Sequence, residues 1–122
     1  GNPELWLSSQ NEEYQAIYSI VAGEISMLAS TYFKTHFVFY SSGALGVAGG
    51  CGTGCFYTNC IVLKDSKASN SFEEFQLYDF EKDKINNEYS INGTEVSKKE
   101  GEQAFKSLGE AIEIKPKFRQ LF

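Results

Sequence analysis

The sequence predicts an α+β fold in which β dominates: an antiparallel meander of about six or seven short strands with one C-terminal amphipathic helix. Three observations carry that reading. Short runs rich in Ile, Val, Phe, Tyr and Thr recur between turn residues. Asn92-Gly93 falls between EYSI and TEV, the two-residue signature of a hairpin. Ser97-Lys98-Lys99-Glu100 then forms a capping box ahead of an apolar stripe at helical spacing.

Taken in order, Glu4 to Ser9 alternates Leu5 and Leu7 with Trp6, as a short strand does. Tyr14 to Phe33 fits two periods. Tyr14, Ile17, Tyr18, Val21, Ile25, Leu28, Ala29 and Tyr32 recur at helical spacing, whereas YQAIYSIV and EISMLASTYF also read as strands hinged at Ala22-Gly23-Glu24. The density of β-branched and aromatic residues tips the balance to a hairpin. Phe37 to Tyr40 is a strand, which Ala44 to Ala48 is expected to continue past Ser41-Ser42-Gly43. Phe56 to Lys64 is a strand closing at Asp65-Ser66. After a polar loop come a strand bearing Phe72, Phe75, Leu77, Tyr78 and Phe80 and a short one over Glu88 to Ile91. In the helix, Ala104, Phe105, Leu108, Ala111 and Ile112 define the buried stripe and Pro116 the end. Gly101 and Gly109 each weaken it by roughly 1 kcal/mol relative to alanine, so it needs the sheet to pack on.

The 122 residues amount to one domain, residues 1–122, and ten Phe, seven Tyr and one Trp suffice for a core. Charge is uneven: Lys34 to Lys64 encloses 29 uncharged positions, so the first half supplies most of the buried surface. A net charge of −5 with no cluster of Lys or Arg argues against a nucleic-acid partner. No apolar run reaches the roughly 20 residues of a transmembrane helix. The opening Gly-Asn-Pro-Glu-Leu-Trp has no initiator Met, which reads as a piece of a longer or processed protein.

Few constellations survive as catalytic candidates. Gly43 to Gly54 holds six of the eleven glycines, but no Lys follows before Lys64 and a strand comes next, unlike a phosphate loop. It reads instead as a wide hairpin connection or a side-chain-poor strand at a close backbone approach. Cys51, Cys55 and Cys60 fall within ten residues, with His36, the single histidine, well upstream; a zinc site would want two close pairs. Either two cysteines pair across a hairpin or all three stay reduced, and an odd count leaves at least one thiol unpaired in a monomer. Asp79, Glu81, Asp83 and Asn87 invite an EF-hand comparison, which fails because Lys84 and Ser90 stand where glycine and the bidentate glutamate belong. Trp6, Tyr14 and Tyr18 are candidate ligand-facing aromatics that could floor a carbohydrate site, although rings in such numbers usually fill cores.

Gly1, Pro3, Glu4 and Leu5, then Ala16-Ile17-Tyr18 with Gly23, then Tyr89, Ile91, Asn92, Gly93, Glu95, Val96, Ser97 and Glu100 together carry a resemblance. The chain resembles an uncharacterised β-meander module of secreted and lipid-anchored surface proteins of Gram-positive gut bacteria. In that module an acidic D-x-D-x-D-G-x-P-E-L stretch precedes the strands and a Y-x-I-N-G-x-E-V-S motif precedes the helix. The resemblance implies an extracytoplasmic location. It also implies a calcium loop whose acids would precede Gly1 in an intact parent protein, leaving Glu4 as the one metal-ligand candidate here. These residues by themselves imply no cofactor.

The functional expectation is a non-catalytic cell-envelope module that binds an unidentified protein or a cell-wall glycan, or serves as a structural spacer. A small ligand-binding or hydrolytic domain of the helix-plus-curved-sheet (NTF2-like) type is the alternative, and it depends on a helix over Tyr14 to Tyr32.

Overall fold

The computed structural model describes residues 4–32, 34–65 and 67–119; Gly1, Pro3, Phe33 and Ser66, used above, lie outside them. Its elements are β1 (Glu4–Ser8), β2 (Gln15–Val21), β3 (Glu24–Thr31), β4 (Thr35–Tyr40), β5 (Leu45–Gly50), β6 (Cys55–Lys64), β7 (Lys67–Asp79), β8 (Lys84–Ile91), β9 (Thr94–Val96), α1 (Lys98–Ser107) and β10 (Ala111–Ile112). They form an antiparallel three-stranded sheet, β1-β2-β3, and an antiparallel seven-stranded sheet, β10-β4-β5-β6-β7-β8-β9. The fold is thus the β-dominant meander with a C-terminal helix, with more strands than six or seven.

Tyr14 to Tyr32 is a hairpin. Val21 pairs with Glu24 across Ala22 and Gly23, at φ 51° and 80°, the twin positive φ of a type I′ turn. The helix on which the NTF2-like alternative depended is therefore absent from this stretch. Asn92 and Gly93, at φ 50° and 82°, make the same turn between β8 and β9.

Three boundaries differ from the sequence reading. Ala44 to Ala48 does not prolong β4: the Gly43 N–H donates to the Tyr40 carbonyl at 2.9 Å, and the chain reverses into β5. The polar stretch after Asp65 is no loop but the start of β7, because Lys67 to Ser71 complete the ladder with the end of β6. The helix does not run to Pro116. It stops at Ser107, and Gly109 takes φ 82°, a left-handed cap that glycine adopts without a Cβ penalty. Ala111 and Ile112, expected on the helical stripe, instead pair with Tyr40 and Phe39 as β10.

Strand alternation gives the large sheet two different faces. One carries Tyr40, Gly46, Cys60, Phe72 and Tyr89 beneath α1, which packs on β7 and β8. Phe105 lies 6.3 Å from Phe72 and 6.0 Å from Tyr89, ring to ring, while Leu108 and Cys60 are fully buried beside Ala44. Burying a leucine so completely is worth about 1.5–3 kcal/mol. Small residues let the layers meet: a Cβ on Gly46 would lie 2.8 Å from the Cys60 sulfur, and one on Gly101 would overlap the Tyr89 ring. Of the two readings of the glycine-rich run, Gly46, Gly49 and Gly50 on β5 make the side-chain-poor strand, and Gly52 and Gly54 lie in the connection to β6.

The serine half of the capping box forms, with the Glu100 N–H donating to the Ser97 hydroxyl at 3.2 Å, while the Glu100 carboxylate accepts from that hydroxyl at 3.2 Å. From the β9 edge α1 carries the chain across to the β4 edge. There the Ser41 N–H donates to the Glu110 carbonyl at 2.8 Å and the Ser42 N–H to the Leu108 carbonyl at 3.2 Å. The other face of the large sheet turns Phe37, Phe39 and Leu45 toward the three-stranded sheet. Among the described residues no helix is long and apolar enough to cross a membrane.

Candidate functional site

The three-stranded sheet also has two faces. Trp6 pairs with Ile17, and both point inward; Leu5 pairs with Tyr18 and Leu7 with Ala16, on the outer face. Opposite Tyr18 stands Met27, and a bulge beyond it shifts the register so that Ile17 faces Ala29. The outer face holds a shallow groove of about 530 Å³ lined by Tyr14, Tyr18, Tyr32 and Met27, with Ser8, Ser9, Gln15 and Ser30 among the polar neighbours. None of its lining residues carries a formal charge. Tyr14 and Tyr32 are 61% and 55% exposed, so their rings are open to a ligand.

Local hydrogen bonds hold the two outer tyrosines in place. The Ser9 N–H donates to the Tyr14 carbonyl at 2.8 Å, and the Tyr14 N–H donates to the Ser9 hydroxyl at 3.1 Å. Asn11 anchors this loop, its side-chain oxygen accepting from the Ser9 hydroxyl at 2.8 Å. The Tyr32 N–H donates to the Thr35 hydroxyl at 2.8 Å, and the Thr35 N–H donates back to the Tyr32 carbonyl at 3.0 Å. Burial, reinforced by its hydrogen bond with Tyr32, raises the Tyr57 phenol above the ordinary tyrosine value. Backbone pinned in this way has little ordering entropy left to lose on binding.

The structure separates the three aromatics read from the sequence. Tyr14 and Tyr18 share the groove, whereas Trp6 is half-buried on the opposite face, 5.5 Å from Phe37 and 5.3 Å from Phe39 by ring centroids. Its indole N–H donates to the Gln15 side-chain oxygen at 2.7 Å. Tyr32 was not singled out by sequence; the pairing of Gln15 with Thr31, which sets Tyr14 beside Tyr32, is the signal that would have found it.

The other candidates lie elsewhere. Cys51 and Cys55 form a disulfide closing the β5–β6 connection, which removes two of the three sulfurs from any zinc set. Cys60 is a free, fully buried thiol whose Sγ donates to the Tyr40 hydroxyl at 3.3 Å. Burial pushes both groups up, the thiol above its ordinary value and the phenol further still, so Cys60 stays protonated and lacks the thiolate of a nucleophile. Beside them the Asn87 amide donates to Glu74 and to the Tyr89 hydroxyl, each at 3.3 Å. Asp79 caps its own turn, accepting from the Glu81 and Lys82 N–H groups at 3.0 and 3.1 Å, and Asp83 takes the Tyr78 hydroxyl. Glu4 is exposed at the start of β1. His36 is exposed on β4. Among the described residues no three or more His, Cys, Asp or Glu side chains converge as a metal site.

No protein-family model, curated protein or solved structure matches this chain.

Proposed function

We propose that the chain is a non-catalytic, extracytoplasmic cell-envelope module that binds a neutral glycan in the tyrosine groove. One observation carries the reading: a groove with no charged lining residue, in which exposed tyrosine rings on a pinned backbone stand beside serine hydroxyls. A sugar presents a C–H face that stacks on a phenol ring and hydroxyls that exchange hydrogen bonds with serine and tyrosine. A neutral lining imposes no cost for burying an unpaired charge under an uncharged ligand. The Cys51–Cys55 disulfide supports an oxidising compartment. The resemblance to surface-protein modules of Gram-positive gut bacteria points to the same location.

The test is retention on insoluble cell wall, followed by calorimetric titration with neutral oligosaccharides. Binding should weaken roughly three- to tenfold for each of Tyr14→Ala and Tyr18→Ala, the worth of one stacked ring. Absence of binding to every glycan, or binding indifferent to both substitutions, refutes the proposal.

A further inference from the structure

On the inner side of the three-stranded sheet, away from the tyrosine groove, a second cavity of about 380 Å³ lies between the two sheets. Its volume falls within the range of small-molecule sites. Ile17 and Leu45 line it at 6% and 4% exposure, so it reaches into the packed interior rather than lying on an open face. Trp6 and Leu28 enter from the small sheet and Phe39 and Leu63 from the large one. Ile112 and Ile114, on the chain leaving α1, close another side. One residue of the lining carries a formal charge: Glu4, which is exposed and so stands where the cavity meets solvent.

We propose that this interlayer cavity binds a small apolar molecule ending in a protonated amine, with the hydrocarbon between the sheets and the ammonium at the Glu4 carboxylate. The apolar walls offer a hydrocarbon chain the transfer from water that drives association. They offer an interior polar head few partners, so the head must remain at the mouth. There a lone carboxylate attracts a cation and repels the anionic head of a fatty acid. The ligand thus differs in class from the glycan of the outer groove, and the two sites stand or fall separately.

Trp6 is the single tryptophan and lines the cavity, so its emission reports occupancy. The probes are octan-1-amine, octan-1-ol and octanoate at neutral pH, which share a chain length and differ in head-group charge. The amine should shift Trp6 emission to the blue saturably and bind roughly two- to fivefold tighter than the alcohol, the worth of an exposed ion pair; octanoate should bind weakest. Molar salt should erase the preference. Glu4→Gln should lower amine affinity to that of the alcohol and leave the alcohol unchanged. Leu45→Phe, on the inner face beside Phe39, should fill the cavity and weaken all three responses. Leu28→Phe, at a half-buried position, is the second filling variant, with circular dichroism verifying the fold of each. Tyr14→Ala, in the outer groove, should change nothing. No saturable response to any probe overturns the site. Equal affinity for amine and alcohol, or a preference that survives Glu4→Gln, overturns the ligand class.

Discussion

The helix-covered face of the large sheet and the outer face of the small sheet are built from the same alternating strands, yet they treat aromatic rings in opposite ways. Under α1, Tyr89 is 5% exposed and packs so closely that position 101 admits no side chain. Tyr14, just ahead of β2, and Met27 and Ile25 on β3 stand 61%, 60% and 64% exposed, with no second layer over them among the described residues. The difference is the cover. A strand pattern determines which residues share a face, but a second layer decides whether that face becomes core or surface. Substitutions on the first face should act on stability, and those on the second on binding.

The largest effect is expected from Gly101→Val, which drives a branched side chain into the Tyr89 ring and should cost about 3 kcal/mol, read by denaturant unfolding. Wild-type stability would mean that α1 does not rest on Tyr89. Combining it with Tyr89→Ala should restore less than additive loss, since the two share one contact.

Alkaline titration comes next, because two groups on the covered face act together. Tyr40 and Cys60 hold their protons in the folded state to higher pH than in the unfolded chain. The native state therefore binds more protons between the ordinary values, about 8.5 for a thiol and 10 for a phenol, and the raised folded ones. Stability should be level below this window and fall as pH rises through it. Cys60→Ala should move the onset upward, toward the range of the phenol alone. A flat denaturation midpoint from pH 8 to 11 would contradict the burial of this pair.

Gly93→Val tests the turn that steers the chain toward the helix. A β-branched residue at φ 82° should cost roughly 1–3 kcal/mol, and an unchanged melting temperature would exclude the type I′ geometry. Ser97→Ala removes the hydroxyl that caps α1 and should cost about 1 kcal/mol. Smallest of all is Tyr14→Ala on the uncovered face: stability should stay within about 0.5 kcal/mol of wild type while glycan affinity falls. A large loss of stability there would place Tyr14 in the structural core and erase the contrast between the two faces.

Local chemistry made much of this molecule legible. Asn92-Gly93 and the Ser97 to Glu100 box act within a few residues, through backbone dihedrals and one side-chain hydrogen bond, and both appear where the sequence places them. The glycine-rich run pointed to a hairpin connection or a strand too crowded for side chains, and Gly46 and Gly49 on β5 realise the second. Lys67 to Ser71 lacked any apolar signal, because their place is secured by ladder hydrogen bonds to β6 rather than by burial. Ala111 and Ile112 continued the helical period but were claimed by the β4 edge once Gly109 turned the chain. Trp6 and Tyr18 could not be assigned to opposite faces until β1 had a register on β2 and the large sheet lay beneath one side of it. The sequence by itself thus determined the β-dominant meander, its turns and its helix start, since each depends on neighbours along the chain. Only the tertiary structure decided where the helix ends, which cysteines pair and which rings remain open to a ligand, because those depend on residues brought together from distant strands.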